Sequence, residues 1–336
     1  DKQNAGANAE LAANIDLENK EWAPVNNYKG NFNGKGHSIL NLNISKASDY
    51  TGLFGSVNEG SVSDITVYGD ITVKNSASHI GGVVGYINLG SVKNVVSYVN
   101  INNDKYGSQV THAGGIIGSV GNDKTDIEKC MYYGNIHLNN SSDCIGGVIA
   151  YSNGGARVKN CANSGTVTAT QSGAYVGGIL GYLNNTNPTI ENCYNYTKIS
   201  DNGSGIHCGA IIGWARNFNK SNIANNYYNK DTGNTPFGTD SKLGLSANEK
   251  TISEFKCGEV AFKLNNGVTD GTQAWYQNID NGLTPDDYPV FNGGTVYYAD
   301  FDNTYSNFER TPDEFDKDDD GRFIIKTYSD LVKLSQ

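Results

Sequence analysis

Three groups of side chains in this sequence have the types and the spacing to do chemistry. Asp316, Asp318 and Asp320 alternate through Asp316-Lys317-Asp318-Asp319-Asp320-Gly321, a pattern that aims carboxylates at one hard cation and puts glycine where the loop turns. It predicts a calcium (Ca2+) loop, but Thr327 stands where a bidentate glutamate would complete the ligand set; the other reading is a solvated acidic linker. His79, His112, Cys144, Tyr175 and His207 recur at one place ahead of a glycine-rich motif. If they lie one above another, His79, His112 and Cys144 carry donors that suit zinc, against the plainer reading of ordinary loop residues. Tyr68, Tyr98, Tyr133 and Tyr196 form one recurring aromatic set, and Tyr86, Tyr151, Tyr182 and Trp214 a second. Rings with a polar edge take up sugars or protein partners, and equally they stabilise a sheet by packing on one another.

What would bring such residues together is a repeat. Gly52-Leu53-Phe54-Gly55 is followed by Gly82-Val83-Val84-Gly85, Gly115-Ile116-Ile117-Gly118, Gly147-Val148-Ile149-Ala150, Gly178-Ile179-Leu180-Gly181 and Ala210-Ile211-Ile212-Gly213, with the last position recurring at intervals of 30, 33, 32, 31 and 32. The runs are short, rich in Val, Ile, Thr and Tyr, and punctuated by Gly and Asn, which predicts strands and leaves no helical periodicity. One such copy cannot bury its own apolar face. Copies stacked at about 4.8 Å satisfy every backbone amide and line up equivalent side chains. The expected fold is therefore all-β, a right-handed parallel β-helix of about 32 residues per turn, since propeller blades and leucine-rich repeats have other periods.

Alternation along the last strand of each copy places Ile65, Val67 and Ile71 inward, with Val95, Val99 and Ile101 as equivalents, then Cys130, Gly134 and Ile136, then Cys161, Gly165 and Val167, then Cys193 and Ile199. Cys130, Cys161 and Cys193 then stack as small reduced hydrophobes. Asp64, Asn94, Lys129, Asn160, Asn192 and Asn225 precede the core position in each copy and read as a turn ladder joined by side-chain amides.

Composition removes several function classes. The 336 residues carry 25 Lys and Arg against 35 Asp and Glu, a formal charge of -10, and no basic cluster that could neutralise phosphates, so nucleic acid is not a partner. No apolar stretch of about 18 residues predicts membrane insertion. HExxH, GxSxG and GxxxxGK[ST] do not occur, which leaves protease, esterase and nucleotide chemistry without their usual motifs. Parallel β-helices also host polysaccharide lyases and glycoside hydrolases, which need convergent carboxylates. Asp64, Asp70, Glu128 and Glu191 are the acids at aligned strand positions, and the expectation is that they do not converge and that Arg157 and Arg216 lack acidic partners on neighbouring rungs.

The pattern GG-aliphatic-aliphatic-G, turn, [VI]-x-N-C, then G-x-[VI] resembles the GLUG repeat of bacterial surface proteins, some of them immunoglobulin A1 protease-type proteins, over roughly residues 49–230. Residues 1–48, with Trp22-Ala23-Pro24-Val25 and Gly30-Asn31-Phe32-Asn33-Gly34, are similar to the leader of such arrays and supply the first turns. Residues 231–298 resemble the module that follows them and are expected to cap the open end of the solenoid. Residues 299–336 read as an acidic linker and, from Gly321 to Thr327, the start of a further repeat unit, so the chain reads as one segment of a longer tandem protein. The resemblance implies an extracellular bacterial cell-surface location, with neighbouring repeat units and host or microbial glycans or glycoproteins as partners. The expected role is noncatalytic adhesion or ligand display; the alternative is a carbohydrate-active β-helix enzyme.

Overall fold

Each copy of the repeat lays one rung on three parallel sheets, of seventeen, six and five strands. The computed structural model describes residues 5–103, 109–121, 124–139, 144–170, 173–184, 188–200, 207–216, 223–238, 247–280, 282, 284–310, 319–325 and 331. The registers follow the sequence alignment: Val62 faces Val92, Val92 faces Ile127, Ile127 faces Val158, Val158 faces Ile190, and Ile190 faces Ile223. The chain is a parallel β-solenoid with about 31 residues per turn. It already coils in the N-terminal segment, where Ala9–Glu10 pairs with Asn31–Asn33, and Asn31–Asn33 with Ser61–Val73.

Two devices turn the chain at its corners. Asp64, Asn94, Lys129, Asn160, Asn192 and Asn225 all sit in the left-handed region, with φ between 51° and 56°, which Asn and Asp tolerate best among residues with a side chain. One such residue shifts the alternation, so that Val62 and Ile65, three apart, both point inward and are buried. The expected amide ladder is present at both ends of this column: Asn94 Nδ2 donates to Asp64 Oδ1 and Asn225 Nδ2 to Asn192 Oδ1, each at 2.8 Å. At the second corner the glycine doublet permits close backbone approach. A Cβ on Gly115 would lie 2.3 Å from the Gly147 carbonyl oxygen, and one on Gly147 2.3 Å from that of Gly178.

Inside, Phe54, Val84, Ile117, Ile149, Leu180 and Ile212 form one file, and Ile71, Ile101, Ile136, Val167 and Ile199 another. Cys130, Cys161 and Cys193 are fully buried free thiols, as expected. Each leans on a backbone carbonyl, and burial pushes the Cys161 and Cys193 thiols well above their ordinary range.

One inward assignment shifts. Val67 faces Ser97, and it is Gly69 that faces Val99. The file Val67, Ser97, Tyr132, Asn163, Asn195, Tyr228 therefore runs through the core, and it is polar in its middle. Burial of those groups is tolerated because each is bonded. Ser97 Oγ donates to the Gly115 carbonyl at 2.7 Å, Tyr132 OH to the Val99 carbonyl at 3.0 Å, and Asn163 Nδ2 to Asn195 Oδ1 at 2.8 Å.

The C-terminal module differs from a simple end cap. Its strand Asn248–Lys250 extends the stack beyond Tyr227–Asn229, but its helices α1 (Ile252–Lys256) and α2 (Glu259–Leu264) lie on a flank. Phe255, Val260, Leu264 and Trp275 pack on Met131, Ala162, Tyr194 and Tyr227, outward residues of four successive rungs. Thr251 begins α1 with a capping box, its hydroxyl accepting from Glu254 N–H while Glu254 Oε2 accepts from Thr251 N–H. The expected boundary at 298 falls inside an antiparallel hairpin of Tyr297–Ala299 with Thr304–Ser306. Asn307 Nδ2 ties that hairpin to the Gln277 carbonyl at 2.7 Å, so the module runs on to Asn307.

Candidate binding surfaces

Two outward files of side chains, one on each side of the glycine corner, merge into a single belt of rings. Tyr50, His79, His112, Cys144, Tyr175 and His207 make the first, a sequence alignment that the pairing of His112 with Cys144 and of Cys144 with Tyr175 bears out. Ser56, Tyr86, Ser119, Tyr151, Tyr182 and Trp214 make the second. Tyr50 stacks on His79 at 4.8 Å, His112 on Tyr151 at 4.4 Å, Tyr151 on Tyr182 at 5.6 Å and Tyr182 on Trp214 at 5.1 Å. Tyr175 crosses between the files, touching Tyr182, Trp214 and His207. Tyr50 escaped the sequence reading because its copy is one residue shorter at the corner, with Gly52 alone where the next four copies have a glycine doublet.

Where the second file has Ser119 in place of a ring, imidazoles fill the space. Ser119 Oγ lies 2.7 Å from His79 Nδ1 and 3.0 Å from His112 Nδ1, so the hydroxyl donates to one ring and accepts N–H from the other. Burial, and then the neighbouring His79, push His112 down to about 4. Burial also lowers His79, with Asp49 opposing. Both rings are thus neutral at pH 7. Among the described residues no three His, Cys, Asp or Glu side chains form a metal-binding group; His79 and His112, which the sequence offers as zinc donors or as ordinary loop residues, instead share the Ser119 hydroxyl. Of the calcium loop, Asp316 and Asp318 lie outside the described residues, and Asp320 pairs with Arg322.

The other aromatic ladder is spent largely on itself. Tyr68 and Tyr98 stack at 4.6 Å and 6°, and Tyr98 and Tyr133 at 4.8 Å and 10°. Ser164 interrupts the file, and Tyr288 of the C-terminal module leans on both Tyr133 and Tyr196. Burial, with Tyr288 and Tyr98 beside it, holds the Tyr133 phenol far above its ordinary range. Only Tyr68 and Tyr98 remain exposed, at 38 % and 37 %, and their inner faces are occupied by each other.

The charged residues form a third surface. Lys93, Asp126, Glu128, Arg157, Lys159 and Glu191 line a shallow depression of about 430 Å³. Contrary to expectation, Arg157 has an acidic partner one rung away, Asp126 at 2.5 Å, and Lys159 meets Glu191 at 2.8 Å. Asp64 and Asp70 likewise accept hydrogen bonds from Asn94 and Asn100. A glycosidase pair needs one carboxyl kept protonated by apolar surroundings, whereas these carboxylates each face a cation or an amide.

No protein-family model matches the chain, and no curated protein sequence does. The GLUG-like resemblance therefore stands on its residues alone.

Proposed function

We propose that this chain is a noncatalytic repeat segment of an extracellular bacterial surface protein, working in adhesion or ligand display between neighbouring repeat units. Its ligands are host or microbial glycans or glycoproteins, and it takes them along the Tyr, His and Trp belt. The observation that carries this reading is the continuity of the belt: ring touches ring from Tyr50 to Trp214. Such a strip combines apolar area with polar edges on side chains that lose little freedom on binding, the composition favoured at recognition surfaces. The solenoid beneath it is locked rung to rung by backbone bonds, which pre-organises the strip.

A glycan array and a mucin-capture assay test this with the wild-type chain beside a Tyr182→Ala, Trp214→Ala double variant. The expected result is saturable binding by the wild type and a fall of at least about ten-fold in the variant, the loss of two ring contacts at one end of the belt. Equal binding by both proteins, or none by either, refutes it. Release of reducing ends from a polysaccharide panel would replace it with a carbohydrate-active β-helix.

A further inference from the structure

The belt has one unfilled place. Its second file begins with Ser56, not a ring; at the comparable gap at Ser119 two imidazoles close the space, but over Ser56, which is buried and bonded to Asn27 N–H, no ring of the described residues does. A cleft of about 380 Å³ opens there, lined by Asn26, Asn27, Asp49, Tyr50, Asn58 and Tyr86 with Ser56 as its floor. That volume is within the usual range for a small-molecule site.

Tyr50 is the first ring of its file, and no ring stands beyond it among the described residues. Tyr50 has one face on His79, meets Tyr86 nearly perpendicular at 82°, and is 43 % exposed. Its backbone is held in the left-handed region at φ 60°, which a bulky residue rarely adopts.

The polar lining is held in place and has bonding capacity left over. Asp49 Oδ1 accepts from both the backbone N–H and the hydroxyl of Ser78, at 2.7 and 3.0 Å, which fixes the carboxylate, and Oδ2 makes no hydrogen bond among the described residues. Asn58 Nδ2 donates to Asn27 Oδ1 at 3.3 Å, and Asn27 N–H donates to Ser56 Oγ at 2.8 Å. Asn58 Oδ1, Asn27 Nδ2 and the Tyr50 hydroxyl make no hydrogen bond among the described residues. Acceptors and donors thus alternate around a cleft bounded on one side by the aromatic surface of Tyr50 and Tyr86. No Lys or Arg lines the cleft, and the chain carries a net charge of -10, so an anionic ring would be repelled.

We propose that this cleft binds a single neutral pyranose unit of a glycan. The sugar fills the rung left vacant over Ser56, its C–H face against Tyr50 and Tyr86 and its hydroxyls bonded to Asp49, Asn27 and Asn58. The inference rests on the reading above in taking the belt side as the glycan-facing side, and it names the terminal subsite.

The test is a titration of the full chain with methyl glycosides of glucose, galactose, mannose and N-acetylglucosamine, and with glucuronic acid, followed by chemical shifts or tyrosine fluorescence. Saturable binding of at least one neutral glycoside and none of glucuronic acid is expected. Asn58→Ala and Asp49→Asn should each weaken it about five- to ten-fold, the loss of one hydrogen bond. Ser56→Trp should abolish it by filling the slot, and Arg157→Ala, on another flank, should leave it unchanged. Circular dichroism of each variant separates lost binding from lost folding. Failure of every neutral glycoside to bind the wild type overturns the proposal, as does full binding by folded Asn58→Ala and Ser56→Trp. Mucin capture by a chain that ignores all the monosaccharides would sink this subsite and leave the belt standing; monosaccharide binding without mucin capture would do the reverse.

Discussion

Removing the Trp275 side chain should release the C-terminal module from the solenoid while leaving the coil folded. Trp275 is fully buried, stacks on Phe291 at 4.8 Å and meets Tyr194 at 5.1 Å, and its Nε1–H donates to the Asn192 carbonyl at 3.2 Å. Trp275→Ala costs about 3–5 kcal/mol for the lost packing, and about 1 kcal/mol more for a carbonyl left without its partner. The module spans residues 248–307, and a unit of about that size has a net stability on the order of 3–9 kcal/mol. The substitution therefore removes half or more of what holds it. The coil should survive because its rungs bond chiefly to adjacent rungs, so stability there is a sum of nearest-neighbour terms. Limited trypsin digestion reads this directly: cleavage at Lys256 and Lys263, inside α1 and α2, should accelerate at least about 100-fold in the opening-limited regime. A dye for apolar surface should light up on Met131, Ala162, Tyr194 and Tyr227, while the β-sheet circular dichroism persists. Unchanged cleavage, or simultaneous loss of the sheet signal at one lowered midpoint, would refute the account of a flank-bound module.

Two further outcomes follow from the corner and from the imidazole pair. Gly147→Ala would place a Cβ 2.3 Å from the Gly178 carbonyl oxygen and 2.5 Å from Asn163 Cγ; neither neighbour is free to yield, so urea unfolding should show a loss of at least about 1–3 kcal/mol. His112, held down to about 4 from an ordinary 6.5, takes up a proton less readily in the fold than in the unfolded chain. Stability should therefore fall as pH drops from 6.5 towards about 4 and stop falling on that account below it, by at most ~3 kcal/mol. His112→Phe, which keeps a ring against Tyr151, should flatten that slope in pH-dependent denaturation, and an unchanged slope would remove His112 from the explanation.

What could be read from the amino acids alone was whatever repeats in fixed register. The glycine doublets and the Asn column gave the coil, because each sits where the backbone itself demands it: close approach at Gly115 and Gly147, left-handed φ at Asn94 and Asn160. The outward parity of Tyr68, Tyr98 and Tyr133 followed from the same count. The misplaced file at Val67 shows where counting fails. Hydrophobic alternation seeks an apolar residue, and the true equivalents of Val67 are Ser97, Tyr132 and Asn163, whose burial depends on hydrogen bonds across rungs. A polar residue in a core is legible only after its partners are in place.

The candidate site divides in the same way. Both ring files of the belt were visible as columns, but their merger depends on the angle of the glycine corner, which swings His79 and His112 over Ser119. That angle turns two columns into one surface and seats the Ser119 hydroxyl between the two imidazoles. It also explains why the first rung is the open one. Lacking the second glycine, the copy at Gly52 presents Tyr50 at the corner with His79 stacked on it, and no ring of the described residues stands over Ser56. His79 is equally left-handed, at φ 57°, ahead of a full doublet, so the missing glycine and not the backbone of Tyr50 sets this corner apart. A Gly inserted between Gly52 and Leu53, restoring the doublet, is expected to abolish binding of a neutral glycoside with the solenoid intact, whereas retention of binding would show that the corner does not shape the slot.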